Sequence, residues 1–212
     1  MPASYFTNIA SHGAYLLWRI DESEEVLLCH NKLDTLAQRS YKVITHARKR
    51  SEWLAARLAL RQLMDQVGHP YTTLHKDAWG QPHLINSPLH VSIAHCFPFV
   101  LVAVNRQPIG IDVQRICKQL QYVQAKFMRD DESAEHDHDI VQLCIYWCAK
   151  EAIYKAYGGK GLSLKNDIRV YTFLKEERGT VFGETKHRLF KVNYQLYKNH
   201  VLTWSSEVSS IT

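Results

Sequence analysis

Glycine and proline are scarce in this chain, 9 and 6 among 212 residues, while aromatic residues make up 11%. That balance excludes a disordered or collagen-like polymer. Long hydrophobic runs are also missing. The longest apolar stretch, around Phe97 to Val104, falls far short of the ~18 residues that cross a bilayer, so no membrane association is expected. The 5 cysteines are odd in number and form no CxxC pair. Cys29, Cys96, Cys117, Cys144 and Cys148 sit in apolar or aromatic sequence, which predicts buried free thiols in a reducing compartment. No Lys or Arg precedes the first short apolar patch, so the N-terminus makes a poor secretory signal and a cytoplasmic protein is expected. There is no Walker loop and no GxGxxG, and none of the 12 histidines stands in HExxH or a zinc-finger array. P-loop, Rossmann and zinc chemistry are therefore not expected.

What is present is chain enough for one large domain or two small ones with a real core. A formal charge of +5 suits an anionic partner without choosing one. Helical spacing of Trp53, Leu54, Leu58, Leu60, Leu63 and Met64 predicts a helix over Arg48–Asp65, with Arg50, Arg57 and Arg61 along one side. Gly68 and Pro70 close it. Strands are predicted at His90–His95, Phe99–Asn105 and Ile109–Gln114, most simply as an antiparallel meander. A second helix is predicted over Ile140–Tyr157, ending at Gly158 and Gly159. Further strands are read at Ile168–Phe173, Arg188–Tyr194 and Val201–Ser205. The class is α+β, with a seam near Arg106 to Pro108.

In Ile109-Gly110-Ile111-Asp112-Val113-Gln114, period two sends Asp112 and Gln114 to one face. An aspartate there is costly unless paired or metal-bound; the plainer reading is a turn cap at a strand end. On the second helix Trp147, Glu151 and Lys155 share a face, which is also the spacing of an ordinary surface ion pair. Together these residues suggest a site for a phosphorylated ligand. Asp112 and Glu151 suit a hard divalent cation such as Mg²⁺. Lys150, Lys155 and Lys160, with Arg50, Arg57 and His95 from the other half, suit phosphate oxygens. The stretch of irregular Asp and His residues at 130–139 reads as a loop or helix start, and as a solvated loop rather than a metal site. A nucleic-acid-binding helix at Arg48–Arg61 is the rival, but its Trp53 and leucines read as core.

Gly110-Ile111-Asp112, followed by Trp147-Cys148-Ala149-Lys150-Glu151-Ala152-Ile153-Tyr154-Lys155, resembles the two signatures of the 4′-phosphopantetheinyl transferases. Gly80-Gln81-Pro82 is similar to the family's G-K-P loop, and Val91-Ser92-Ile93-Ala94-His95 to its S-x-S-H strand. The resemblance spans roughly residues 48 to 165 and implies the larger, single-chain type. That fold is two similar α/β subdomains forming an intramolecular pseudo-dimer, here expected as 1–106 on the coenzyme A 3′-phosphate side and 107–212 with the metal and catalytic helix. The implied reaction moves the phosphopantetheine arm of coenzyme A to a serine of an apo acyl or peptidyl carrier protein, releasing 3′,5′-ADP. Carried over by position, Asp112, Gln114 and Glu151 would hold Mg²⁺, and Glu151 and Lys155 would be catalytic. Arg50, Arg57, Gly80, Gln81, Pro82, Ser92, His95, Lys150 and Lys155 would meet coenzyme A. A monomer that binds neither nucleic acid nor membrane is implied. The chain departs from the family pattern at Gln114, where many relatives carry Glu, at Gln81 in place of Lys, and at Ala94 in place of Ser. These departures define the alternative, a coenzyme A-binding relative without transferase activity.

Overall fold

The structure, a computed structural model, describes residues 4–9, 13–134, 139–158 and 161–208. The chain divides into two compact units, residues 1–78 with 82–106, and residues 79–81 with 107–212.

In the first unit, strands β1 (Ser4–Ile9) and β2 (Gly13–Arg19) precede three helices, α1 (Glu24–Asn31), α2 (Thr35–Lys42) and α3 (Ala47–Gln66). The hairpin β3 (Leu74–Lys76) and β4 (Pro82–Leu84) follows, then β5 (His90–Cys96) and β6 (Phe99–Asn105). Ser23 and Asp34 cap α1 and α2 by accepting from the amides of Val26 and Ala37. The main sheet runs β1-β2-β6-β5, antiparallel throughout. Period two turns Leu16 and Trp18 of β2, Val100, Val102 and Val104 of β6, and Val91 of β5 toward one cluster with Leu54, Leu60, Leu63 and Met64 of α3. Each such aliphatic side chain contributes about 1.5–3 kcal/mol on burial, so this seam is what holds α3 on its sheet.

The second unit opens with β7 (Ile109–Arg115). Short helices α4 (Gln119–Val123) and α5 (Asp130–Ala134) lead to the long α6 (Ile140–Tyr157), then β8 (Arg169–Val170), β9 (Arg178–Thr185), β10 (Arg188–Tyr197) and β11 (His200–Glu207). Asp139 caps α6 by accepting from the Gln142 amide, and Gly158 ends it at φ 109°, a left-handed conformation that a side chain disfavours. Tyr146, Cys148, Ala149, Ala152 and Ile153 of α6 pack with Val192 and Tyr194 of β10 and Val201 of β11.

The two units repeat one plan. In the first, strand β2, helix α3 and hairpin β5–β6 give the local sheet order β2-β6-β5; in the second, β7, α6 and β10–β11 give β7-β11-β10. The fold is therefore α+β in two subdomains of like construction. The predicted meander is corrected at its third strand. β5 and β6 form a hairpin, but β7 pairs with β11 in the other sheet. Phe99–Asn105 and Ile109–Gln114 are thus the last strand of one repeat and the first of the next. Of the predicted strand at Ile168–Phe173, only Arg169–Val170 forms. Cys144 and Cys148 are buried free thiols, whereas Cys29 is exposed and Cys96 and Cys117 are half-buried, which corrects the expectation for those three.

Candidate active site

Strand β7 and helix α6 approach so closely that a side chain at residue 110 has no room. A Cβ built on Gly110 would lie 1.8 Å from the Ala152 carbonyl oxygen and 2.5 Å from the Ala156 amide nitrogen. Glycine here lets the strand lie against the helix backbone, and it brings Asp112, two residues on, to the same helix. Asp112 is only 8% exposed, and its carboxylate is paired. Lys155 Nζ donates to Asp112 Oδ1 and to the Ile111 carbonyl oxygen, each at 2.9 Å. Asp112 is therefore neither a turn cap nor an orphan, and Lys155 forms its ion pair across elements rather than along its own helix.

Glu151 lies one turn before Lys155 and is half-buried. Burial raises its carboxyl pKa above the ordinary glutamate value, the nearby Asp112 charge adds to the rise, and Lys155 opposes it. Two carboxylates that feel each other this way, beside one ammonium, form a compact charged site. Thr203 of β11 is fully buried, with Oγ1 3.1 Å from the Cys148 carbonyl oxygen and 3.5 Å from that of Asp112, so one hydroxyl ties both elements to the sheet. The Cys148 thiol is pushed well up by burial, and Cys144 and Asp112 add to the effect. Gln114 is half-buried on the Asp112 side of the strand by alternation, and its carbonyl oxygen accepts from Cys144 Sγ at 3.7 Å.

Segment 79–81 groups with this unit. Gly80 has φ 83°, and Gln81 Nε2 donates to the Lys155 carbonyl oxygen at 2.8 Å. Pro82 starts β4 opposite Lys76.

In the first unit, His95 Nδ1 lies 3.2 Å from Oε2 of buried Glu52, which also pairs with Lys49 at 3.1 Å. Arg48, one turn before Glu52, stacks its guanidinium 4.9 Å from the Phe97 ring. Lys49 and His95 thus meet at one carboxylate, with Arg48 one turn earlier on the same helix, and sequence reasoning missed both Arg48 and Lys49. The signal was there: Arg48 and Glu52 are i, i+4 on α3. Ser92, three residues before His95, is buried on the opposite face of β5.

Three expected phosphate ligands, Arg50, Arg57 and Lys150, have partners within the protein. Arg50, Arg57 and Arg61 do share one side of α3, but that side serves the fold. Arg50 bonds Glu24 Oε1 at 2.7 Å and the carbonyls of Ile44 and Thr45. Arg57 stacks 3.2 Å from the Trp53 ring centroid, and burial lowers its pKa to about 10. Lys150 points into the core of the second unit, where Glu132, Leu164 and Ile168 supply acceptors for its ammonium. In the stretch 130–139, read as a loop or helix start, a helix forms over Asp130–Ala134. Glu132 is buried, Asp130 and Asp131 are in ion pairs and Asp139 caps α6, while residues 135–138, like Lys160, lie outside the described residues.

The "4′-phosphopantetheinyl transferase N-terminal domain" profile matches residues 41–105, and the "4′-phosphopantetheinyl transferase superfamily" profile matches residues 108–207. The chain belongs to the 4′-phosphopantetheinyl transferase superfamily. Among relatives, it is 24% identical over 144 residues to "4′-phosphopantetheinyl transferase gsp" of Aneurinibacillus migulanus, covering 65% of this chain and 59% of that protein. It is 24% identical over 178 residues to "Enterobactin synthase component D" of Escherichia coli (strain K12), covering 77% of this chain and 81% of that one. The protein of the same name from Shigella flexneri matches at 23% over 178 residues. The superfamily match includes Asp112, Glu151 and Lys155, and the N-terminal match includes Glu52 and His95.

Proposed function

We propose that this chain transfers the 4′-phosphopantetheine arm of coenzyme A to a serine hydroxyl of an apo acyl or peptidyl carrier protein, with Mg²⁺, releasing 3′,5′-ADP. The observation that carries the reading is the junction of β7 and α6, where Lys155 joins Asp112 and raises positive charge beside Glu151. Among the described residues no three His, Cys, Asp or Glu side chains gather as a metal site. Two carboxylates with an amide oxygen from Gln114 nevertheless fit Mg²⁺, a hard cation that usually takes one or two carboxylates and fills its shell with water and substrate phosphates. When bound, it would neutralise diphosphate charge.

The chain's own residues do the rest. The serine oxygen bonds to the phosphorus that carries pantetheine, the bond from that phosphorus to the bridging oxygen breaks, and its electron pair leaves with 3′,5′-ADP. Glu151 takes the serine proton, directly or through a water, as the half-buried carboxylate one turn before Lys155. Lys155 offsets charge gathering on the phosphate oxygens, an electrostatic contribution that phosphoryl transfer needs more than covalent help.

Intact-mass analysis of apo carrier proteins incubated with the protein, coenzyme A and Mg²⁺ tests the reading. A gain of one phosphopantetheine, abolished by chelator, is the expected result. No gain on any carrier despite coenzyme A binding would sink it in favour of the non-transferring relative.

Two further outcomes follow from the same reading. Gln114→Glu adds a carboxylate to the metal side of β7 and should lower the Mg²⁺ concentration for half-maximal rate roughly three- to tenfold; an unchanged value would remove residue 114 from the metal. The cluster of Arg48, Lys49 and His95 is the better place for the 3′-phosphate than Arg50 or Arg57. Arg48→Ala should raise KM for coenzyme A about tenfold through loss of a charge-assisted contact. It should leave KM for dephospho-coenzyme A, which lacks that phosphate, unchanged. Equal effects on both substrates would defeat the assignment.

A further inference from the structure

Lys155 is held twice, once by its side chain and once by its backbone. Its ammonium sits on Asp112 and the Ile111 carbonyl, while its own carbonyl oxygen accepts from the Gly158 amide at 3.3 Å and from Gln81 Nε2 at 2.8 Å. The last four carbonyls of a helix lack intrahelical partners, and the final turn frays unless something outside the helix holds it. On one flank Gly110 lies flush against Ala152 and Ala156. From the 79–81 segment comes the Gln81 amide. The shorter of the two bonds to that carbonyl is therefore made by a residue 74 positions away in sequence.

This arrangement changes the expected job of Gln81. One of the two amide protons of Gln81 is committed to a carbonyl oxygen, a contact well suited to fixing a helix end. We propose that Gln81 is a positioning residue: by donating to the Lys155 carbonyl it pins the last turn of α6 to the Gly80-Gln81 turn and fixes the point from which the Lys155 ammonium reaches the transferred phosphate. The inference rests on the transferase reading for its kinetic consequence, but the pin itself does not.

The test uses Gln81→Glu, which keeps length but cannot donate and repels the carbonyl, alongside Gln81→Ala and the donor-retaining Gln81→Lys. In the Glu and Ala variants kcat for transfer should fall about tenfold with KM for coenzyme A changed less than about twofold, and Lys should restore most of the loss. Hydrogen–deuterium exchange, run without coenzyme A or carrier, should speed up in the Glu variant over residues 153–158 and not in α3. A KM rise of tenfold at constant kcat with unaltered exchange would overturn the proposal and make Gln81 a coenzyme A ligand. Exchange accelerated equally across both units would overturn it as well, since that marks general loosening. If the wild-type protein transfers to no carrier, the transferase reading fails by itself, and the exchange result still decides the pin.

Discussion

Replacing Lys155 with alanine should lower the rate of phosphopantetheine transfer by about 10²- to 10³-fold, the usual cost of removing one group aimed at developing charge in a water-poor site. Coenzyme A binding should change much less, because the interaction grows as the phosphorus–oxygen bond breaks. The side chain of Lys155 is 26% exposed, so its ammonium is available to a ligand as well as to Asp112. A second consequence separates this role from simple packing. Lys155 holds the Glu151 pKa down while burial and Asp112 hold it up. With the cation gone both remaining influences act upward, so in metal-free protein the Glu151 carboxyl, followed by ¹³C NMR, should keep its proton to a higher pH than in wild type. Single-turnover transfer at unchanged rate would remove Lys155 from the chemistry, and an unmoved Glu151 titration would mean the three groups do not share a site.

The same helix shows what a sequence reveals and what it withholds. The bounds of α6 were legible because an apolar run of this length has few alternatives and because Gly158 is a strong stop. The placement of Asp112 was legible in part: alternation fixed its face. Which partner would neutralise it was not, since Glu151 and Lys155 at i, i+4 are equally the pattern of a solvated pair. Arginines 50, 57 and 61 were legible as one stripe, but a stripe says nothing about what faces it; Glu24 and backbone carbonyls face Arg50, and Trp53 faces Arg57. Strand β2 was missed because its first six residues are all buried, which removes the alternation a half-buried strand would show. The partner of β7 was misjudged for a related reason. Short breaks between strands favour hairpins, but the break at Arg106 to Pro108 separates two repeats, and only the distant β11 reveals it.

Lys150 makes the point most sharply, and its substitution carries the largest expected effect on stability. Lys150→Met should cost about 3–5 kcal/mol, because it strands a buried carboxylate. Thermal melting should fall by roughly 6–20 °C for a chain of this size. The Lys150 side chain is 0% exposed and that of Glu132 2%, with Nζ and Oε2 at 2.7 Å. The ammonium also donates to the Leu164 and Ile168 carbonyls at 3.1 and 2.8 Å, so each of its three protons has an acceptor. Glu132 in turn accepts from the Arg129 and Val170 amides, each at 2.8 Å, which fastens α5 and β8 to the same point. Burial pulls the Lys150 pKa below its ordinary value, and the Glu132 charge works against that fall. Removing the lysine therefore costs more than one bond. Adding Glu132→Gln to Lys150→Met should recover part of the lost stability, since it removes the buried charge while its one amide oxygen still accepts from one of the two backbone donors. A single variant as stable as wild type would refute the core role. In the single variant, measured at low temperature where it stays folded, the transfer rate should hold near wild type, the reverse of Lys155→Ala. Five positions along a helix turn a side chain by about 140°, and that rotation sends one lysine of the signature to Asp112 and the other to the core.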